Sequence, residues 1–121
     1  MFETIRWRCH VHANDRRAAE RVVGRIAARL DRPVDIESYE RYCKFPELAV
    51  LRLVSPLQCP TPELALMTVL ECAWKIATPW SLGSQGSGVH HEFMGIAAAN
   101  VGAHFSVPGI EWTEFYVSDR P

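Results

Sequence analysis

The sequence has no apolar run that approaches the roughly 18 residues a helix needs to span a bilayer. Its first six residues also lack the apolar stretch that marks a secretory signal peptide. From these two absences we expect a cytoplasmic protein with no membrane partner. An excess of charge is missing too: the net charge of −1 gives the whole molecule no bias toward nucleic acid or anionic lipid.

The four cysteines of the chain include no CxxC pair. The cytoplasm keeps such thiols reduced, so we expect no disulfide. Cys9 and Cys72 fall in apolar segments, and we expect both to be buried as small apolar residues.

Catalytic motifs are missing as well. Cys9 and His10 are adjacent, so on a strand they face opposite sides and do not form a nucleophile–base pair. The glycines of residues 83–88 match neither a phosphate-binding P-loop nor a nucleophile elbow, and backbone flexibility explains them more simply. We therefore expect no catalytic residue, no cofactor and no enzyme. A small ligand-binding or enzymatic sandwich that uses residues 83–88 as a lid stays an alternative.

The five histidines are the one set that would suit a metal ion. His10 and His12 lie two apart on a predicted strand and so share a face. One of His90 and His91 would converge with them if their strands were neighbours, and three imidazoles would suit zinc. Nothing in the spacing requires this arrangement, and we expect no metal.

What the chain does have is the composition of an ordinary globular protein, 48% hydrophobic and 22% charged, in a length that fits a single domain of residues 1–121. Its charge is unevenly placed. Residues 1–60 hold 11 Lys and Arg against 8 Asp and Glu, whereas residues 61–121 hold 2 against 6. We expect a basic side and an acidic side.

Two segments repeat apolar residues at helical spacing. Residues 16–30 follow the capping candidates Asn14 and Asp15 and end before Pro33. Residues 62–77 follow Thr61, an N-cap signal, and are apolar almost all round. We therefore expect the second helix to be the more deeply buried.

Strand patterns cover residues 4–12, 34–42, 48–54, 89–98 and 110–117, and residues 103–107 stay open between strand and loop. On the second strand, Tyr39 is expected to face outward. Residues 55–60 and 80–88 are expected to be loops, the latter mobile.

This order is β-α-β-β-α-β with one or two extra C-terminal strands. It predicts an α+β fold, a ferredoxin-like sandwich with two helices packed on one face of an antiparallel sheet. The other face of the sheet would be open. It would display the side chains of Arg6, Arg8, His10, His12, Asp35, Glu37 and Tyr39.

The most conspicuous motif is a set of arginines spaced four residues apart: Arg17, Arg21, Arg25 and Arg29. On a helix they form one ridge, where like charges repel by about 0.2–0.5 kcal/mol per pair. Such a ridge would grip phosphates, pair with carboxylates of a protein partner, or simply be solvated. The near-zero net charge argues against nucleic acid. A nucleic-acid-binding module that uses this ridge and the strand of residues 6–12 stays an alternative.

The last predicted strand mixes aromatic and acidic residues. Its outward members are candidate interface anchors, because large rings beside charged groups carry much of the binding energy in protein interfaces. The candidates are Glu111, Trp112, Glu114 and Tyr116. With the arginine ridge they make up the predicted partner-binding residues.

The C-terminal quarter carries a pattern in residues 92–96 (Glu-Phe-Met-Gly-Ile), 102–105 (Gly-Ala-His-Phe) and 108–115 (Pro-Gly-Ile-Glu-Trp-Thr-Glu-Phe). It resembles the tails of small bacterial immunity proteins, the cytoplasmic antidotes of contact-dependent inhibition and other polymorphic toxin systems. The resemblance implies a non-enzymatic protein that binds a cognate toxin domain and blocks its active site. The acidic second half of the chain would suit a basic toxin cleft. Association into a homodimer is left open.

Overall fold

The computed structural model describes residues 1–87 and 90–120 of the chain. In these residues the elements follow the order β1 (Phe2–His12), α1 (Arg16–Leu30), β2 (Asp35–Arg41), β3 (Leu48–Cys59), α2 (Pro62–Ile76), β4 (Ala77–Thr78), β5 (Ser81–Ser87), β6 (His90–Ala98), a 3₁₀ turn (Ala99–Val101), β7 (His104–Phe105) and β8 (Ile110–Ser118). The long strands form one sheet in the order β2-β3-β1-β8-β6-β5, and every neighbouring pair is antiparallel. The short strands β4 and β7 pair separately.

Both helices pack on the same face of this sheet. α1 lies against β1, β2 and α2, while α2 lies against β1, β3 and β8. The core between the layers is built from large side chains such as Ile5, Leu51 and Phe115, each fully buried. The predicted α+β class, with two helices on an antiparallel sheet, is confirmed. Neither helix is long and apolar enough to cross a membrane.

Local signals determine where the helices begin and end. The Asp15 carboxylate accepts a hydrogen bond from the Ala18 amide at 2.8 Å, and α1 stops where Asp31 adopts a left-handed conformation (φ 53°). The Thr61 hydroxyl accepts a hydrogen bond from the Leu64 amide at 3.2 Å, directly before Pro62. The predicted bounds of α1 are confirmed, and α2 ends one residue earlier than predicted.

The depth of burial predicted for α2 is wrong. The helix presents Ala65, Val69, Cys72, Ala73 and Ile76 to the core, as many buried residues as α1 has. Two of its largest apolar side chains point away from the sheet: Met67 is 62% exposed and Trp74 is 54% exposed. Small residues on the buried side let a helix approach a sheet closely, and an all-round apolar pattern does not reveal which side that is. The predicted burial of Cys9 and Cys72 is confirmed.

The loop predicted at residues 80–88 is wrong over residues 81–87, which form the edge strand β5. Its register with β6 runs from Ser81 opposite Ile96 to Ser87 opposite His90. Serine and glycine favour strands weakly, but the backbone hydrogen bonds of β6 override that preference. Gly88, and Val89 of the predicted strand 89–98, lie outside the described residues. The lid that an enzymatic alternative needs is therefore a paired strand over residues 81–87.

Two irregularities in the sheet overturn further expectations. β3 continues to Cys59 through the predicted loop 55–60, and a bulge against β1 absorbs Gln58 in a left-handed conformation (φ 56°). A bulge in β2 adds Glu37 to the register between Ile36 and Ser38. This extra residue reverses the alternation, so Tyr39 lies opposite Leu51 and packs against the core instead of facing outward.

Gly95 of β6 allows the Phe115 ring of β8 to enter the core. The two residues are cross-strand partners, and a Cβ at position 95 would lie 2.4 Å from that ring. Phe115 in turn packs on Trp7 and Trp80, with ring centroids 6.1 and 5.4 Å away. This packing holds β8 firmly between β1 and β6, and β8 carries half of the predicted site.

Candidate functional site

Among the described residues, no helix covers the second face of the sheet, which we call the open face. The two central strands β1 and β8 place alternate side chains on it. Cross-strand partners there are Arg6 with Tyr116, Arg8 with Glu114, and His10 with Trp112. The open face therefore brings together residues that lie about a hundred positions apart in the sequence.

Glu111 reaches the open face because β8 is bulged. The register passes from His10 opposite Trp112 to Val11 opposite Ile110, which leaves Glu111 as the extra residue. Its Oε1 lies 2.8 Å from Nε2 of His12. All four residues predicted on the last strand thus lie on the same face of the sheet as the outward side chains of β1. The bulge explains why the consecutive residues Glu111 and Trp112 both lie on that face.

A row of stacked side chains crosses this face. The Arg8 guanidinium carbon lies 5.0 Å from the centroid of a Trp112 ring, and the Trp112 and His10 rings stack at 4.7 Å. Tyr42 meets His10 edge to face at 4.5 Å, and Phe45 continues the row 5.9 Å from Tyr42. We call these five residues the aromatic row. Mutual stacking preorganises its rings and so lowers the entropy that a partner would have to remove.

Burial in this row lowers the pKa of His10 below its ordinary value of 6.5, and the nearby Arg8 charge lowers it further. The imidazole is therefore neutral at pH 7. A neutral ring fits the stack, because no second cation is placed beside the guanidinium of Arg8.

Charge on the open face is ordered in stripes. The arginines lie on β1 and β3, and the carboxylates lie on β2 to one side of them and on β8 and β6 to the other. Arg6 pairs with Glu37 at 2.7 Å and Arg8 with Glu114 at 3.4 Å. Among the described strand residues of this face, Asp35, Glu37, Glu40, Glu92, Glu111 and Glu114 stand against Arg6, Arg8 and Arg52. The face is thus mixed but acidic in balance.

At one end of the open face lies a cavity of about 480 Å³, which we call the end pocket. It is lined by His10, His12, Tyr42, Phe45, Glu47, Leu48, Asn100, Glu111 and Trp112. Tyr42, Phe45, Glu47 and Asn100 were missed by the sequence analysis. The two aromatic residues flanking the turn at residues 43–44 were the available signal, but only the tertiary fold places that turn beside β8.

The arginine ridge lies on the opposite side of the molecule, on the solvent face of α1. Arg17, Arg21, Arg25 and Arg29 are all exposed there, as predicted from their spacing. Arg29 donates from Nε to the Lys75 carbonyl oxygen at 3.1 Å and so ties α1 to the end of α2. Within residues 1–87 and 90–120, no ion pair engages the other three ridge arginines. The structure does not bring the two predicted groups of site residues together.

The possible histidine cluster does not form, because β8 separates β1 from β6. His90 lies 3.5 Å from Asp119 beyond the far end of β8, whereas His10 and His12 line the end pocket. The described residues contain no group of three or more His, Cys, Asp or Glu side chains that could hold a metal ion.

Cys9 faces the core rather than the open face. Burial raises the pKa of its thiol to about 12, and Thr113 donates to its sulfur at 3.5 Å. The thiol is therefore protonated at neutral pH, and a protonated buried thiol is not a nucleophile.

Comparisons of this chain with protein-family models, with curated proteins and with solved structures gave no match.

Proposed function

We propose that this chain is a non-catalytic cytoplasmic binding protein that captures a protein partner on its open face. The C-terminal resemblance suggests what the partner is: the toxin domain of a contact-dependent inhibition or related polymorphic toxin system. The function would then be that of an immunity protein, which occludes the active site of the toxin.

The observation that carries this proposal is the open face itself. It is a broad, preorganised surface that carries all four predicted residues of β8, with Trp112 in the aromatic row and the other three on the same face. Six strands about 4.8 Å apart, with about nine residues each, present roughly 700 Å² of sheet. A standard protein interface uses about 800 Å² of each partner, with aromatic and arginine side chains at its centre.

The charge of the open face indicates the chemistry of the partner. Carboxylates outnumber guanidinium groups among its described strand residues, so a basic surface would be the complementary one. Toxin domains that act on nucleic acids carry such surfaces, since they must bind phosphates. Complementary charge would speed the encounter and select the cognate toxin.

The fold supports a finer proposal. Strands β2, β3, β1 and β8 with the two helices would form a ferredoxin-like unit, because the order β2-β3-β1-β8 and its antiparallel neighbours match that arrangement. On this interpretation, β4, β5, β6 and β7 are an insertion between α2 and the last strand. The insertion widens the sheet by two strands, and so widens the proposed binding surface.

The proposal is tested by capturing the protein partner and then measuring bacterial growth in the presence of that partner, with and without this chain. The tagged chain is used to capture proteins from a lysate of its native host, and each captured domain is expressed alone in a sensitive bacterium. A domain that arrests growth alone, and no longer does so when this chain is co-expressed, supports the proposal. Failure to capture such a domain, or arrest that persists with the chain bound, rejects it.

The unpaired ridge arginines favour a second candidate, a nucleic-acid-binding module. Arg17, Arg21 and Arg25 have no ion-pair partner among the described residues and point to solvent. Phosphate binding by this ridge predicts that the logarithm of affinity falls linearly with the logarithm of salt concentration. Absence of RNA and DNA binding at low salt eliminates the candidate.

A further inference from the structure

We propose that the end pocket is a binding site for one basic side chain, a guanidinium or ammonium group that the protein partner inserts. This inference rests on the proposed function, because it names the group of the partner that the open face would recognise. It concerns one end of the sheet only, and it is testable without the partner.

The walls of the pocket suit a cation on a flexible stem. Tyr42, Phe45 and Trp112 all line the pocket, so the entering chain meets three aromatic side chains. Phe45 is 52% exposed, so about half of its surface is open to contact with a cation or an aliphatic stem. A volume of about 480 Å³ is ample for an arginine or lysine side chain.

The charges that line the pocket are negative. Glu47 and Glu111 are its ionisable acids, and no lysine or arginine is among the described residues that line it. The contact with His12 engages Oε1 of Glu111, and the described residues place no hydrogen-bond partner on Oε2. A guanidinium could pair with that second oxygen in a charge-assisted hydrogen bond.

A guanidinium group held between an aromatic ring and a carboxylate already occurs beside the end pocket. Arg8 stacks on Trp112 with its guanidinium carbon 5.0 Å from a ring centroid, while it also pairs with Glu114 at 3.4 Å. The end pocket repeats this combination of aromatic face and carboxylate, but without an arginine of its own. A basic side chain from a partner would complete a second copy of the motif.

The probe for this site is Nα-acetyl-L-arginine methyl ester, whose only charge is the guanidinium group, and Nα-acetyl-L-citrulline methyl ester is its uncharged counterpart of nearly equal shape. Binding is followed by the indole N–H signals in a ¹⁵N-labelled sample. Trp7 and Trp80 donate their indole N–H groups to Ser55 and to backbone carbonyls, and Trp74 lies on α2, so these three signals serve as internal controls.

We expect the Trp112 signal alone to shift and saturate, with a dissociation constant of about 1 mM for a probe of this size. The citrulline ester should bind at least about fivefold more weakly. Glu47→Gln and Glu111→Gln should each weaken the arginine ester about three- to tenfold, whereas Glu92→Gln, at the other end of the open face, should leave it unchanged. Equal response to both esters, or no saturable shift of Trp112, overturns the proposal.

Failure of this inference differs from failure of the proposed function. If the ester does not bind while the chain still neutralises a toxin domain, the end pocket is not a cation site and the immunity role stands. If the ester binds as expected while the chain captures no toxin, the chemistry of the pocket is supported and the proposed function is rejected.

Discussion

The two sides of this molecule display their charged residues in opposite ways. On the helical side, the exposed ridge of α1 presents one kind of charge in a regular row. On the open face, carboxylates, guanidinium groups and rings from β1, β2, β8 and the turn after β2 contact one another across the sheet. The ridge can be read from the fifteen residues of α1 alone, whereas the open face exists only once the chain is folded. The more conspicuous pattern is therefore not the more organised surface.

The sharpest test of this comparison is a pair of identical tryptophan substitutions, one on each side. Trp112→Ala removes the centre of the aromatic row, and Trp74→Ala removes a 54% exposed ring from α2. For a partner bound at the open face, Trp112→Ala should cost at least about 2 kcal/mol, roughly a 30-fold loss of affinity. Trp74→Ala should change affinity less than about twofold.

The measurement is calorimetric titration of the captured toxin domain, with circular dichroism to verify that each variant is folded. A larger loss from Trp74→Ala than from Trp112→Ala would move the binding surface to the helical side.

Glycine substitutions compare the packed core beneath the sheet with the exposed ridge side of α1. Gly95→Ala places a methyl group 2.4 Å from the Phe115 ring, and overpacking of this kind costs about 1–3 kcal/mol of unfolding free energy. Gly24→Ala, in the middle of α1, meets nothing within 4 Å and should stabilise the protein by about 0.5–1 kcal/mol. Urea unfolding of both variants measures the difference. Equal stability of the two would show that the β6–β8 packing tolerates a larger residue.

Acid should lower the stability of the folded protein through His10, which lies on the open face. Its pKa is lowered in the folded state, so between that value and 6.5 the unfolded chain binds more protons than the folded chain. Stability should therefore fall as the pH drops from 7 through this range. The variant His10→Gln should lose part of that fall, measured as the unfolding free energy at pH 7 and pH 5. If the unfolding free energy falls by the same amount between pH 7 and pH 5 in the variant, His10 does not contribute to the acid sensitivity of the protein.

The parts of this structure that were predictable from sequence depend on local chemistry. Asp15 and Thr61 begin the helices through their own side chains, and the alternation of residues 110–117 placed Glu114 and Tyr116 on one face. The predictions that were wrong concern residues whose positions depend on pairing with segments distant in the sequence. The bulge at Glu37 turned Tyr39 inward.

Pairing with β6 likewise turned a segment rich in serine and glycine into the strand β5, although its composition is typical of a loop. The end pocket was missed for the same reason: Tyr42 and Trp112 are 70 positions apart, and the register of three strands brings both rings onto His10. No periodicity within one segment contains that information.

The smallest expected effects lie within the arginine ridge, and they test whether it is a solvated surface. Arg21→Glu replaces repulsion with Arg17 and Arg25 by attraction and should raise the unfolding free energy by about 0.5 kcal/mol. Arg29→Ala removes the hydrogen bond to the Lys75 carbonyl and should lower it by about 0.5–1 kcal/mol. Thermal unfolding of both variants resolves the opposite signs, and neither should alter capture of the toxin domain. If Arg21→Glu abolishes capture in a folded protein, the ridge is the binding surface, and the roles assigned to the two sides are reversed.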